Sequence, residues 1–137
     1  MKKFIALLMI ASMLLASCSP ADDNGIIEIS EESFVDETFG VLGNPDRYLG
    51  RTIRLEGMFM TVQLPGSGDE FHFVYRLTDG CCGPEPIGFE LHLDGIDPLP
   101  DYTWVEVTGV LEQHISTRLE VISLIEMSER GAEHVPQ

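Results

Sequence analysis

Past position 3 the chain has no lysine. Every later basic side chain is an arginine: Arg47, Arg51, Arg54, Arg76, Arg118 and Arg130. Against 8 Lys and Arg stand 23 Asp and Glu, for a formal charge of −15 over 137 residues. A surface this acidic repels phosphate backbones and anionic lipid head groups. That argues against nucleic acid as a partner and suits cationic partners, metal ions or plain solubility. Long apolar runs are missing too. The longest, residues 4–15, is shorter than the roughly 20 residues a membrane-spanning helix needs. There is no Gly-x-Ser-x-Gly elbow, no His-Glu-x-x-His, no phosphate loop and no Cys-x-x-Cys. The expectation is therefore a protein that binds rather than an enzyme. No internal repeat is present, and the length fits one domain.

What is there begins at the N-terminus. Lys2 and Lys3 give a positive start, residues 4–15 a short apolar stretch, and small residues follow. The stretch ends in Leu15-Ala16-Ser17-Cys18. This resembles the lipobox of bacterial lipoproteins. The resemblance implies cleavage before Cys18 and acylation of that cysteine, with palmitate or a similar chain. Acyl chains anchor by burial, about 0.8 kcal/mol per CH₂, and stable anchoring needs more than one. The expected organisation is a signal peptide at 1–17, a lipid-anchored tether at 18–25 and a folded domain at 26–137. The expected place is the extracytoplasmic face of the bacterial cell membrane. With Cys18 acylated, only Cys81 and Cys82 remain, and a disulfide between distant segments of one chain is excluded.

The domain reads as mainly β. Residues 26–29 fit a short strand, and 30–42 fit either a helix capped by Ser30 or an extended segment. Asn44-Pro45 and Gly50 bracket one short helical turn. Five strand patterns follow, near 51–62, 71–78, 87–93, 104–111 and 118–127. Phe71, Phe73, Tyr75 and Leu77 alternate as an apolar, core-facing set, as do Ile87, Phe89, Leu91 and Leu93. Residues 79–86 read as a turn. Gly57 and Gly109 interrupt their strands as bends. Five strands with glycine bends predict a small OB-like barrel, with a β-sandwich as the alternative.

Four segments carry a family resemblance: residues 48–57, Gly80-Cys81-Cys82-Gly83, Gly88-Phe89-Glu90, and residues 104–111. They resemble a group of small bacterial lipoproteins. They are also similar to the C-terminal OB-like domain of permease-associated membrane proteins. The resemblance implies an OB-like fold and an envelope location. The tether, the acidity and the missing catalytic motifs make a transporter or another envelope protein the expected partner. Some relatives carry a further cysteine just before the pair, where Thr78, Asp79 and Gly80 stand here. That departure weakens a thiol-only metal site.

Two groups of residues could carry chemistry. Cys81 and Cys82, with Glu85, have donors suited to zinc or another soft metal. The alternatives are a vicinal disulfide, buried apolar thiols and exposed free thiols. A strand count places His72 roughly opposite His92, with Glu90 on the face of His92. These three form a candidate ligand-binding face, since strands 2 and 3 are a common OB binding surface. They lie on the order of 30 Å from the cysteines at about 3.3 Å per residue, so two sites are expected rather than one. Trp104 reads as structural cover, and Met58 with Met60 as a weak soft-ligand pair.

Overall fold

The computed structural model describes residues 25–128. The elements in order are β1 (Ile27–Ile29), α1 (Phe34–Gly43), a 3-10 turn (Pro45–Arg47), β2 (Thr52–Gln63), β3 (Glu70–Gly80), β4 (Gly83–His92), β5 (Trp104–Gln113) and β6 (Thr117–Glu126). Among the described residues no helix is long and apolar enough to cross a membrane.

The fold is mainly β, with six strands ordered β1-β2-β3-β4-β6-β5. An additional β2–β5 pairing joins the ends of the five long strands into a closed ring. β2 makes this possible because it serves two partners in turn. Thr52 to Met58 pair antiparallel with β5, and Met58 to Gln63 pair with β3. The change of partner falls at Gly57–Met58, where the sequence predicts a bend. At the second predicted bend, Thr108 faces Ser123 and Gly109 faces Val121, leaving Ile122 as the extra residue of a bulge. β1 lies outside the ring, parallel to the start of β2.

The short strand expected at 26–29 forms over 27–29 because β2 gives it a partner, which with the five longer strands makes six among the described residues. One expectation changes here. The helical content exceeds one turn, because residues 34–43 form a helix. The spacing of Phe34, Thr38 and Val41 explains the helix. They fall on one face at i, i+4 and i+7, and all three are buried. Ser30 stands just outside the start, where its Oγ accepts the Ser33 N–H at 3.3 Å.

The interior is aliphatic and phenyl. Ile53, Leu55, Phe59, Val74, Phe89, Val105, Val107, Leu111 and Leu119 are each at most 1% exposed. Gly88 is fixed by close approach. A Cβ there would collide with the Val74 carbonyl oxygen and sit 2.6 Å from the Tyr75 Cα.

β3 is turned the other way from the sequence reading. Residues directly opposite in an antiparallel pair share a face. Val74 faces Phe89 and His72 faces Leu91, so His72, Val74 and Arg76 look inward. Phe71, Phe73, Tyr75 and Leu77 therefore lie on the outside. The sequence pattern of β3 has the right period and the wrong phase, because both sets carry apolar residues. The turn also shrinks. Gly80 pairs with Gly83, so the expected turn at 79–86 is two residues, Cys81 and Cys82.

Candidate functional site

The β3–β4 hairpin is longer than the ring it belongs to. β2 leaves β3 at Tyr75, so the segment from Arg76 to Gly80 is paired on one side only, with β4. β6 touches β4 only from Glu90 to His92. The result is a two-stranded arm. Its outer strand carries Pro84 and Pro86, which supply no N–H and so blunt an open edge.

Cys81 and Cys82 form the tip of this arm. Both are exposed and free, and their sulfurs are 3.4 Å apart. Side chains of neighbours on a straight strand point apart, and the turn is what brings these together. Neither cysteine needs a left-handed backbone; Gly83 takes the positive φ, at 132°. Glu85 faces Thr78 across the arm, and its carboxyl lies over Gly80. Among the described residues, no three His, Cys, Asp or Glu side chains gather so as to hold a metal ion. The tip thus offers two donors, with no third converging on them.

The histidines stand at the other end of β3 and β4. The pairs His72–Leu91 and Gly80–Gly83 are eight registers apart, roughly 26 Å at about 3.3 Å per residue. His72 faces Leu91 rather than His92. It stacks on Phe59 with centroids 5.6 Å apart, and its Nδ1 lies 3.1 Å from Thr61 Oγ1. Glu90 and His92 are on the opposite face. The Ser116 hydroxyl donates to Glu90, and His92 Nδ1 lies 2.8 Å from Glu120 Oε2. All three predicted residues line one cleft of about 410 Å³, with Glu70, Leu93 and Arg118. They share that opening, but each already has a partner within the fold. Cys18 lies outside the described residues.

A third feature escaped the sequence reading. Placing Phe73 and Tyr75 outside puts them beside Met60, which faces Phe73, and Met58, which faces Tyr75. Met58, Tyr75 and Trp104 form a second apolar cluster, with Met60 and Met127 against it. Trp104 is thus buried cover, as expected. Next to this cluster runs a shallow groove of about 340 Å³ lined by Met60, Val62, Phe73, Tyr75, Pro86 and Gly88. The signal was available in the alternation of Met58, Met60 and Val62 along β2.

Arg76 anchors the region. Its guanidinium lies 4.9 Å from the Trp104 ring centroid and 5.1 Å from that of Phe34. Its Nε donates to the Glu56 carbonyl at 2.8 Å, and Nη1 is 3.2 Å from Glu31. One side chain so ties the segment before α1, the helix itself and two strands together. Burial chiefly, and then Tyr102 and Asp101, hold the Tyr75 phenol above its ordinary pKa.

Residues 13–136 match the family model for the DUF1980 C-terminal domain, and the chain belongs to that uncharacterised domain family. No curated protein and no solved structure matches it.

Proposed function

We propose that this DUF1980 C-terminal domain protein is a lipid-anchored binding module without catalysis. Acyl chains on Cys18 hold it at the extracytoplasmic face of the bacterial cell membrane. The closed ring of five strands is an OB-like barrel, and the outer face of β2, β3 and β4 docks an envelope protein, such as a transporter component. The observation that carries this reading is the apolar groove of Met60, Val62, Phe73, Tyr75 and Pro86 on a chain of charge −15. Methionine and aromatic side chains at a surface suit adaptable protein contact. The net negative charge of the chain favours a partner segment with apolar side chains flanked by Lys or Arg, and it repels an anionic lipid surface.

The test is a photocrosslinking amino acid at Phe73 or, as control, at Ile122, which is 62% exposed on β6. Both full-length variants are expressed in their own envelope. A single protein adduct at 73, absent at 122 and weakened by salt, is the expected result. Equal labelling at both positions, or labelling of lipid alone, overturns the docking reading. Anchoring is checked separately: Cys18→Ala should release the chain from membranes.

A further inference from the structure

The cysteine tip takes no part in the docking reading, and its geometry is specific. We infer that Cys81 and Cys82 are a two-thiol chelating site for a trivalent, thiophilic main-group centre of the arsenical type.

Three observations converge on that class. The first is the sulfur separation of 3.4 Å, held by a turn whose closing pair is Gly80–Gly83. A disulfide needs about 2.05 Å between sulfurs and usually about 4.4–6.8 Å between Cα atoms. Adjacent Cα atoms across a trans peptide are only about 3.8 Å apart. The ring of a vicinal disulfide is therefore strained and easily reduced, which favours the open dithiol.

The second observation is the donor count. Tetrahedral zinc, at about 2.3 Å from each thiolate, holds its sulfurs roughly 3.8 Å apart, and a structural site closes with four protein donors. Here two sulfurs converge, and no group of three His, Cys, Asp or Glu forms among the described residues. A linear two-coordinate ion would hold the sulfurs farther apart still. A pyramidal trivalent centre with one carbon substituent needs two sulfurs only, and its bonds to them stand near a right angle. That geometry brings the sulfurs closer than zinc does.

The third observation is access. Both cysteines are exposed at the end of an arm that projects past the ring. On the Gly83 side of the tip a Cβ would meet nothing within 4 Å, while the Glu85 side chain lies on the other side, over Gly80.

The chemistry balances with phenylarsine oxide as the probe. The arsenic–oxygen double bond breaks and two arsenic–sulfur bonds form. The two thiol protons leave with the oxygen as one water. Arsenic stays trivalent, and no oxidant or reductant is needed.

The experiment uses the full acylated chain, reduced and in detergent. Phenylarsine oxide is titrated, with intact mass and free-thiol count as readouts. The expected result is one phenylarsenic per chain and the loss of two thiols. The adduct should survive excess monothiol and be reversed by a small dithiol. Cys81→Ser and Cys82→Ser should each weaken binding about 100-fold or more, because loss of either sulfur removes the intramolecular second bond. Both positions are exposed, and a thermal melt of each variant checks that the fold is intact. Undiminished binding in either variant overturns the proposal. So does stripping by monothiol, or stoichiometric zinc binding with no arsenical adduct. None of these outcomes bears on the Phe73 crosslink, so the two readings fail separately.

Discussion

The described residues form two apolar clusters on opposite sides of the same strands, and they are built differently. Inside the ring are Ile, Leu, Val and Phe, nearly all without solvent exposure. Outside are Met58, Tyr75 and Trp104, with Met60 and Met127 at their margin. Branched aliphatics have few rotamers and fix one packing. Methionine is flexible and polarisable, and Tyr and Trp pair an apolar body with a polar tip. The inner set defines the fold. The outer set closes over itself only in part and leaves a groove beside it. A strand whose two faces are both apolar is therefore not a strand with two cores.

The sharpest test of that contrast compares two phenylalanines on neighbouring strands. Phe89 is fully buried inside, and Phe73 lies half-buried outside. Phe89→Ala should cost about 3–5 kcal/mol, the usual loss for a buried phenyl. Phe73→Ala should cost about 1 kcal/mol, since much of its ring is already near water. Urea denaturation of both variants measures the difference. Costs within about 1 kcal/mol of each other would erase the distinction between the two clusters.

Arg76 joins the clusters and is the next point of attack. It starts from the inward face of β3, yet its guanidinium lies between Phe34 of the inner set and Trp104 of the outer. Its side chain is 12% exposed, so the contacts are only partly screened. Arg76→Ala removes two ring contacts, a hydrogen bond to Glu56 and a charge partner for Glu31. A loss of about 2 kcal/mol is expected. Arg76→Lys should recover the charge but less than half the stability, because a point charge cannot stack on two rings. Full recovery by lysine would mean that charge alone ties the clusters.

Much of this was legible in the chain. The long strands, the irregularity at Gly109 and the short turn at Asn44–Gly50 follow from local rules, and each appears; Gly57 keeps its register with Val105. The helix over 34–43 is half legible: helix is one of the two readings of 30–42, but Ser30, Glu31 and Glu32 stand before its start rather than in its first turn, and only packing selects helix over strand. The phase of β3 was not legible. Phe71, Phe73, Tyr75 and Leu77 outweigh His72, Val74 and Arg76 on any hydropathy count. What decides is the partner: Val74 meets Phe89 where β3 passes so close to Gly88 and Gly57 that neither position has room for a Cβ. That is a constraint between strands, and it also set the true face of His72. The pairing of the cysteines was clear as a sequence fact, whereas their convergence to 3.4 Å depends on a turn of two residues rather than eight.

The smallest expected effect belongs to Tyr75, which sits where the outer cluster meets the groove. Burial, and then the neighbouring Tyr102 and Asp101, raise its pKa above 10.0. The neutral phenol is therefore favoured in the folded state more than in the unfolded one. At a pH above the unfolded value the native chain holds the extra proton, so stability falls as pH rises. The contribution is fully present below about pH 10 and is lost as pH climbs through the folded pKa. Tyr75→Phe removes the titrating group and keeps the ring. Between about pH 9 and 11 its stability should fall less steeply than that of the native chain, while the two remain close at pH 7. Tyr102→Phe should reduce the slope by less, because Tyr102 acts on Tyr75 second to burial and is itself 53% exposed. Parallel slopes for the native chain and Tyr75→Phe would show that the outer cluster is as wet as the rest of the surface. The contrast between inside and outside would then rest on packing alone.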